Sequence, residues 1–519
     1  MADKQIGYVG FSRRFRYWLA MHAAMGVSAL FIAAPAPTQA QTGAIIDSTV
    51  RLEAFDGVDG DRFGVGAAIS GDTIFTGAPF HRVGGVPTGV GYIFVRDTSG
   101  VWTLQTELLA PNLSLTMGDD NGNIGDRFGG NIAISGDTAI ISADLDNDSD
   151  ACALLGPLLR GSCYAGSAYI YVRDASGAWT LQAKLLPSDH APKAEFGHSV
   201  AISEDSASVV VGANRADDAC PGDLNCESGS AYVFTRDANN IWTEQAKLLA
   251  SDAARGAHFG FCSSISGDTV VIGSPFIDND GSAYVYVRDA NGVWTQQAKL
   301  LASDGTMNDQ FGYSAAIIGD TVIVGAPNGS NTNGDRTGAV YTFVRDAAGV
   351  WTQQAKLLAS DGSATDDFGF SVGFRNNTLV VGAIGADIAG NTNAGAVYVF
   401  ARDAMGAWME KNKLVGVNAN GGIGDKTGSP AGISGGTVIA GAYGFRFNGN
   451  QFDLRGAAYV FDLPQGSLAD LNGDGVVDGA DIAILLTQSG AAGSADLNGD
   501  GVVDGADLAI LLYVFGPAL

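Results

Sequence analysis

The chain has 519 residues, a net charge of −26 and only 16% charged residues, and it contains 73 glycines. A chain of this length accommodates several domains, or one large repeat array with a small module attached. The strong acidity excludes nucleic acid and anionic membrane surfaces as partners, because they carry charge of the same sign. The glycines follow no collagen period and lie between short apolar runs, which predicts many short strands joined by turns.

The amino terminus is typical of an export signal. Three arginines at 13–16 precede an apolar stretch over about 18–34, and small residues end that stretch at 38–40. A membrane anchor is the alternative, but two prolines interrupt the apolar run before it reaches the length of a span. We therefore predict a signal peptide over 1–40 and a secreted or cell-surface protein that does not span the membrane.

A repeat dominates the rest of the chain. Each copy begins with Phe-Gly, reaches Ser-Gly-Asp-Thr and then Gly-Ala-Pro or a relative, and after a variable loop continues with Ala-Tyr, Val-Arg-Asp, Trp-Thr and Lys-Leu-Leu. Phe-Gly occurs at 63–64, 128–129, 196–197, 259–260, 311–312 and 368–369, and Thr427-Gly428 stands at the seventh position. Self-similarity of this length predicts a repeat architecture.

Each copy offers four strand-like runs separated by turn signals. In the fifth copy they span Tyr313–Ile318, Thr321–Gly325, Gly338–Arg345 and Trp351–Leu358. A four-stranded antiparallel sheet cannot bury both of its faces alone, so the copies are expected to stack around an axis as propeller blades. The sequence thus predicts an all-β fold, a seven-bladed β-propeller over 41–463.

The ends of the array predict how the ring closes. The seventh copy stops after Ala457-Ala458-Tyr459-Val460-Phe461 and lacks a fourth strand. The segment Val50–Gly57 resembles the fourth-strand segment Lys299–Gly305. We therefore expect an amino-terminal strand to complete the last blade, which would remove the open sheet edges that favour aggregation.

With these flanks, the Phe-Gly and Gly-Ala-Pro motifs resemble the FG-GAP repeat family, which is best known from the integrin α-subunit head. The resemblance covers residues from about 50 to 463. It implies a propeller that binds protein, glycan or matrix partners through the variable loops after Gly-Ala-Pro. It also raises the question of calcium in those loops. The loop of the second repeat has an aspartate at every second position, at Asp144, Asp146, Asp148 and Asp150. These aspartates are consistent with two interpretations, a calcium site and a solvated acidic loop.

Four of the five cysteines form two local pairs in equivalent loops. These pairs are Cys152 with Cys163 and Cys220 with Cys226. In an exported protein such pairs form disulfides, and the alternative of zinc lacks a histidine at ligand spacing. The fifth cysteine, Cys262, lies in an apolar stretch and is expected to be a buried small residue and not a nucleophile.

The pattern changes after Pro464, where two near-identical acidic loops follow each other 26 residues apart. Their oxygen ligands occupy positions 1, 3, 5, 9 and 12, with the carbonyl of position 7 and a glycine at position 6. The predicted ligands are Asp470, Asn472, Asp474, Val476, Asp478 and Asp481 in the first loop and Asp496, Asn498, Asp500, Val502, Asp504 and Asp507 in the second. Hard oxygen ligands at this spacing predict two calcium ions.

A helix with an apolar face is predicted after each loop, but none precedes the first, so each unit is half of an EF-hand. This arrangement over 464–519 resembles the type I dockerin module. The resemblance implies a cohesin-like partner for the tail. Positions 10 and 11, which commonly contact cohesin in dockerins, are Gly479-Ala480 and Gly505-Ala506 here.

The sequence shows no catalytic constellation. The segment 432–436 fits Gly-x-Ser-x-Gly but aligns with strand-to-strand turns, and acids such as Asp366-Asp367 precede Phe-Gly in most copies, as a structural turn would require. We therefore predict no catalytic residues and a protein that is not an enzyme. We expect a binding, adhesion or scaffold module, with an accessory role in polysaccharide degradation, docked through the tail, as the alternative. A hydrolase in the propeller's central funnel is a third hypothesis.

Overall fold

The computed structural model describes part of the chain, and the following account concerns that part. The described residues are 44–48, 50–111, 125–147, 163–220, 222–223, 225–278, 280–375, 377–403, 406–416, 426–444, 454–463, 471, 476–477, 479–490, 495–497, 502–513 and 516–517. The predicted signal peptide over 1–40 lies outside them.

Seven antiparallel sheets form the blades of a β-propeller, as the repeat predicts. The strands β1 (Ala44–Asp47) and β2 (Val50–Leu52) precede the first repeat. Blade 1 contains β3 (Ala67–Ser70), β4 (Thr73–Ala78), β5 (Val90–Arg96) and β6 (Trp102–Leu108), and blade 2 contains β7 (Ile132–Ser135), β8 (Thr138–Ala143), β9 (Ser167–Arg173) and β10 (Trp179–Leu185). Blade 3 contains β11 (Phe196–Ile202), β12 (Ser208–Ala213), β13 (Ser230–Arg236) and β14 (Trp242–Leu248).

The remaining blades repeat this order. Blade 4 contains β15 (Ser263–Ser266), β16 (Thr269–Ser274), β17 (Ser282–Arg288) and β18 (Trp294–Leu300), and blade 5 contains β19 (Ser314–Ile318), β20 (Thr321–Ala326), β21 (Ala339–Arg345) and β22 (Trp351–Leu357). Blade 6 contains β23 (Phe368–Arg375), β24 (Thr378–Ala383), β25 (Ala396–Arg402) and β26 (Trp408–Val415), and blade 7 contains β27 (Ala431–Ser434), β28 (Thr437–Ala442) and β29 (Ala457–Asp462).

The hydrophobic core lies between adjacent blades. All six residues of the second strand are buried in every blade, because this strand is covered by sheet neighbours on both edges and by blades on both faces. One cluster, for example, joins Ala201 and Val210 of blade 3 to Ile272 and Tyr284 of blade 4. A strand that is buried on both faces is expected to have a continuous run of apolar residues in sequence, and the second strands have such runs.

The amino-terminal strand closes the ring as predicted. Strand β2 pairs antiparallel with β29, with Val50 opposite Val460 and Leu52 opposite Ala458. It supplies the fourth strand that the seventh repeat lacks. Strand β1 pairs parallel with β26 and adds a fifth strand to blade 6, which the sequence did not indicate.

The carboxy-terminal residues form a small helical unit. It contains β30 (Val476–Val477), the helix α1 (Gly479–Gln488), the helix α2 (Gly505–Tyr513) and β31 (Gly516–Pro517). In the described part of the chain α1 and α2 are the only helices, and neither is long and apolar enough to cross a membrane. The apolar side chains of this unit pack into one cluster, in which Leu485 and Leu511 are fully buried.

Candidate functional site

The Phe-Gly motif joins each blade to the one before it. The N–H of Phe311 donates to the carbonyl of Asp280 in the preceding blade at 2.8 Å, and that of Phe368 donates to Thr337 at 3.1 Å. The N–H of the following glycine donates to the glycine of Gly-Ala-Pro in its own blade, as in Gly312 to Gly325 at 3.1 Å. The motif therefore fixes each first strand to two neighbouring segments at once.

Glycine is required where these segments meet. At Gly338 the backbone has a φ of +87°, and a Cβ would lie 2.1 Å from the carbonyl oxygen of Phe368. At Gly77 of Gly-Ala-Pro a Cβ would lie 2.0 Å from the carbonyl oxygen of Gly129 in the next blade. No side chain fits at such distances, so these glycines recur for packing.

The strand directions place two sets of loops at one end of the propeller. Each first strand begins at Phe-Gly, and the antiparallel second strand returns to the same end at Gly-Ala-Pro. The variable loop between the second and third strands therefore lies beside the Phe-Gly turns. We call this end the Phe-Gly face and the opposite end, which carries the short turns within each blade, the hairpin-turn face.

An aromatic row lines the Phe-Gly face across blades 3 to 6. It consists of the residues that follow the glycine of Phe-Gly: His198, Phe261, Tyr313 and Phe370. Successive ring centroids are 5.0, 4.8 and 5.0 Å apart. All four side chains are half-buried, and Phe276, which packs against Phe261 at 5.7 Å, is 43% exposed.

Charged and polar side chains cluster near the Phe-Gly motifs of blades 2 to 4. This polar sector consists of Arg127, Asp144, Glu195, His198, Arg215 and His258. Asp144 is 1% exposed, and its Oδ2 accepts a hydrogen bond from Nη1 of Arg127 at 2.9 Å. Oε1 of Glu195 lies 3.3 Å from Nη1 of Arg215.

Burial and neighbouring charges set the ionisation of the polar sector. Burial raises the pKa of Asp144 against the opposing effect of Arg127. Burial also acts to raise the pKa of Glu195, but His198 and Arg215 outweigh it, so this pKa lies below its ordinary value. Burial lowers the pKa of His258, because the charged imidazolium loses solvation.

In the acidic loop of the second blade, the two aspartates that the structure describes are buried, and each forms an ion pair with a basic side chain. Asp146 is 3% exposed and forms an ion pair with Nζ of Lys184 at 2.7 Å, and it also accepts a hydrogen bond from Tyr169. Asp144 pairs with Arg127. Asp148 and Asp150 lie outside the described residues.

In blade 2, Asp146 thus contacts both a tyrosine and a lysine, and most blades have a similar Tyr-Asp-Lys group. In blade 5, Asp304 accepts hydrogen bonds from the Tyr341 hydroxyl at 2.9 Å and from Nζ of Lys356 at 2.7 Å. Partial burial acts against the charged form, but these two hydrogen bonds hold the pKa of Asp304 below its usual value. The acids before Phe-Gly are structural as well, because Asp366 accepts the backbone N–H of Ser363 and closes a turn.

The disulfide prediction is confirmed where the structure describes both cysteines, whereas Cys262, which was predicted to be buried, is half-buried as a residue. Cys220 and Cys226 form a disulfide. Cys163 is fully buried and disulfide-bonded, and its predicted partner Cys152 lies outside the described residues. Cys262 is a free thiol, and burial raises its pKa to about 12, which makes it a poor nucleophile.

The two carboxy-terminal loops have matching hydrogen bonds at their ends. Asp481 and Asp507, at position 12, are fully buried. Each accepts a backbone N–H from position 2 of its own loop, from Leu471 at 2.7 Å and from Leu497 at 2.6 Å. Asp496 is also buried, and its Oδ2 lies 3.8 Å from Nη2 of Arg375 in blade 6.

The remaining predicted ligands divide into two groups. Val476 lies in β30, while Val502 and Asp504 are exposed just before α2. The others lie outside the described residues: Asp470, Asn472, Asp474, Asp478, Asn498 and Asp500. The exposed positions 479–480 and 505–506 begin α1 and α2.

A cavity of about 1550 Å³ opens at the hairpin-turn face. The cavity is lined by residues at the ends of the first strands of blades 1 to 6 and by Ile433 in the first strand of blade 7. Three residues of the carboxy-terminal unit also line it: Thr487, Gln488 and Asp496. The carboxy-terminal unit therefore lies at the mouth of the central channel opposite the Phe-Gly face.

The sequence and the architecture agree on the family. The sequence model of the FG-GAP repeat matches residues 47–94, 115–171, 179–234, 242–286, 294–343 and 351–400. These matches cover more than half of the chain. The protein belongs to the FG-GAP repeat family.

The individual relatives are distant. Integrin alpha-6 of Gallus gallus is 24% identical over 189 residues, which is 33% of this chain but only 16% of that protein. A crystal structure of a protein from Lactobacillus plantarum is 16% identical, with a TM-score of 0.43, over 67% of this chain and 84% of that one. A structure titled a putative 6-phosphogluconolactonase from Bacteroides fragilis is 14% identical, with a TM-score of 0.39, over 66% of this chain and 81% of that one.

One prediction from the sequence is corrected by these comparisons. We expected a protein that is not an enzyme, but a structurally similar chain is titled a putative 6-phosphogluconolactonase. The expectation rested on missing motifs, and one fold hosts binding proteins and enzymes alike, so the exclusion is withdrawn. A likeness with a TM-score of 0.39 assigns no activity to this chain.

Sequence reasoning missed the grouping of Asp144, Glu195 and His198. The available signal was a substitution within the repeat. Blades 1, 4 and 5 have proline after the second strand, at the third position of Gly-Ala-Pro, whereas blade 2 has Asp144 there. The alignment of the copies shows this exchange, but only the structure shows that it places a carboxylate beside the next blade's Phe-Gly motif.

Proposed function

We propose that this protein is an exported binding module whose Phe-Gly face takes a protein or glycan ligand, as an adhesion or scaffold component outside the cell. The observation that carries the proposal is the aromatic row, which presents half-buried rings beside the variable loops. Rigid aromatic side chains contribute large contact areas at low entropic cost, and they dominate many binding surfaces. Membership of the FG-GAP repeat family supports the same function.

Export is supported by chemistry at two places. The first forty residues have the basic, apolar and small-residue order of a signal peptide. The Cys220–Cys226 disulfide suits an oxidising compartment, where such bonds persist.

We further propose that the segment 464–519 is a dockerin-like module that binds two calcium ions, separate from a propeller over 41–463. Asp481, Asp496 and Asp507 place three buried carboxylates in this small unit, and burying charge is costly. A cation would add to the compensation that the backbone N–H groups of Leu471 and Leu497 already provide. Calcium would supply the positive charge that draws the loop oxygens together. Docking of the tail to a cohesin stays a prediction.

Substitutions on the aromatic row test the ligand-binding proposal. Full-length protein with Phe261→Ala or Tyr313→Ala is applied to immobilised collagen, fibronectin and fibrinogen and to an array of defined polysaccharides. We expect any probe bound by the wild type to bind these variants at least about tenfold more weakly, because truncating a central aromatic contact costs about 2 kcal/mol or more. The matched control is Phe374→Ala, which removes a half-buried ring at the hairpin-turn face.

The measurement is the dissociation constant by biolayer interferometry, with circular dichroism to show that each variant is folded. Equal losses in the Phe374→Ala control and in the aromatic-row variants would contradict a site on the Phe-Gly face. Binding to none of the probes by the wild type in the presence of calcium would count against ligands of these classes.

A further inference from the structure

Polar atoms without hydrogen-bond partners are concentrated in the polar sector. Buried polar side-chain atoms in native proteins are almost always hydrogen-bonded, so each exception requires an explanation such as a bound ion. Among the described residues, Oδ1 of Asp144 and Nδ1 of His198 are buried atoms that lack a partner. Both belong to the polar sector, on either side of one interface between blades.

Three potential ligands converge at this interface. Asp144 follows β8 of blade 2, while Glu195 and His198 flank the Phe-Gly motif that begins β11 of blade 3. One ligand atom from each of the three side chains lies within 4.8 Å of the other two. The grouping thus depends on the Phe-Gly junction, which holds the two blades together through the hydrogen bond from Phe196 N–H to Ala165.

Two arginines orient the carboxylates and leave one oxygen of each for another partner. Arg127 occupies Oδ2 of Asp144, and Oδ1 is left over. Arg215 lies beside Oε1 of Glu195, and Oε2 lies 3.7 Å from Nδ1 of His198, which is too long for a hydrogen bond. Outer contacts that fix one side of a carboxylate are typical of the surroundings of metal ligands.

We propose that Asp144, Glu195 and His198 bind one divalent first-row transition-metal ion across the interface of blades 2 and 3. An imidazole with two carboxylates is a mixed nitrogen and oxygen set, which suits zinc or manganese better than calcium, whose ligands are six to eight oxygens. Three protein ligands leave at least one coordination position open. This site is separate from the two calcium loops, and it shares His198 with the aromatic row, where that ring packs on Phe261.

The geometry and the charge both permit such an ion. Ligand atoms lie about 2.0–2.2 Å from zinc in a tetrahedral site, so any two of them are about 3.4 Å apart. The ligand atoms of the three side chains lie within 4.8 Å of one another, so they need to approach by up to about 1.4 Å to reach this geometry. Glu227, whose Oε1 lies 3.7 Å from Nε of Arg215, adds a third carboxylate against two guanidinium groups. By formal charge, these three carboxylates and two guanidinium groups leave a net charge of −1 around the site.

Metal titration of the full-length protein tests the site. The purified chain is stripped with chelator, saturated with calcium and titrated with zinc or manganese by calorimetry, and cobalt is added separately to record its absorption spectrum. We expect one equivalent to bind with at least tenfold lower affinity in Asp144→Asn and in His198→Gln, with loss of the cobalt bands. His190→Gln is the matched control, because this half-buried histidine contacts the carbonyl of Gly166 and is not one of the three proposed ligands.

Three results would each overturn the proposal. The first is that the calcium-saturated wild type binds no stoichiometric zinc or manganese. The second is that Asp144→Asn and His198→Gln keep the wild-type affinity, and the third is that His190→Gln loses affinity to the same extent as they do. His198 keeps a quarter of its side chain exposed, so its replacement by glutamine tests the site even if the change at the buried Asp144 prevents folding.

Discussion

His81 supplies, in blade 1, the positive charge that a lysine of the fourth strand supplies in blades 2 to 6. The lysine position is occupied by Glu107 in this blade, and Asp56 would otherwise face Tyr92 without a cation. Nδ1 of His81 lies 2.8 Å from Oδ2 of Asp61, and Nε2 lies 3.4 Å from Asp56. The hydrogen bond with Asp61 raises the pKa of His81, against the opposing effect of burial and with the help of the nearby acids.

This exchange predicts a pH-dependent stability that is specific to blade 1. A folded-state pKa above the unfolded value means that the stabilisation is complete below the unfolded pKa of about 6.5. It is lost as the pH rises through the raised folded-state pKa. We expect His81→Gln to lower the free energy of unfolding by about 1–2 kcal/mol at pH 6 and by less at pH 8.5, because a hydrogen bond to a charged group is removed. Urea denaturation at both pH values measures the difference.

Lys299 provides the control for this experiment, because it makes the corresponding contact in blade 4. Its ammonium group lies 2.5 Å from Asp252, and hydrogen bonds with Asp252 and Asp278 raise its pKa despite partial burial. Lys299→Gln should therefore lose the same amount of stability at pH 6 and at pH 8.5. A loss in His81→Gln that is equally independent of pH would show that folding does not raise the pKa of His81.

At the scale of the secondary-structure elements, the repeat predicted the strands to within one or two residues. The predicted strands at 313–318 and 321–325 are observed as β19 and β20, which differ from them by one residue each. Strand β1 escaped prediction because it has no counterpart in the repeat and pairs with β26, more than 360 residues away in sequence. Local periodicity contains no information about such a distant, unrepeated pairing.

The closing strand predicts a large effect from a small change near the amino terminus. Leu52 of β2 is 4% exposed and packs with Ala458 and Val460 of blade 7. We expect Leu52→Ala to lower the free energy of unfolding by about 2–5 kcal/mol, the range for a leucine truncated in a core. The adjacent Arg51→Ala removes a partly exposed ion pair with Glu53 and should cost no more than about 1 kcal/mol. Equal losses in guanidinium denaturation would mean that blade 7 does not depend on its closing strand.

At the scale of the whole molecule, the sequence predicted what is repeated and missed what departs from the repeat. The seven blades and the closure of the ring were predicted from the recurring sequence motifs, because each repeat must bury the same sheet faces against its neighbours. The polar sector could not be predicted in this way, since Asp144, Glu195 and His198 come from two blades and become neighbours only through the Phe-Gly junction. The position of the carboxy-terminal unit beside Arg375 depends equally on a contact that no motif encodes.

The carboxy-terminal unit and the propeller are expected to differ in their dependence on calcium. The propeller buries a continuous core between seven blades, whereas the unit beyond 463 has one small apolar cluster with Leu485 and Leu511 at its centre. So small a core does not outweigh the entropy of ordering the loops without a further contribution, and metal binding would supply it. Removal of calcium should therefore unfold the tail and leave the ring intact.

Limited proteolysis of the full-length protein measures this difference. With chelator we expect rapid cleavage within 464–519 and an intact propeller, and with calcium we expect protection of the tail by at least about tenfold in rate, because bound ligand stabilises only the folded unit. Magnesium at the same concentration controls for ionic strength. Asp481→Asn with Asp507→Asn should abolish the protection by calcium, since both buried residues that we propose as position-12 ligands lose their charge. Cleavage that is the same with calcium and with chelator would refute calcium-coupled folding of the tail. Equal protection of the double variant would place the ion elsewhere in the chain.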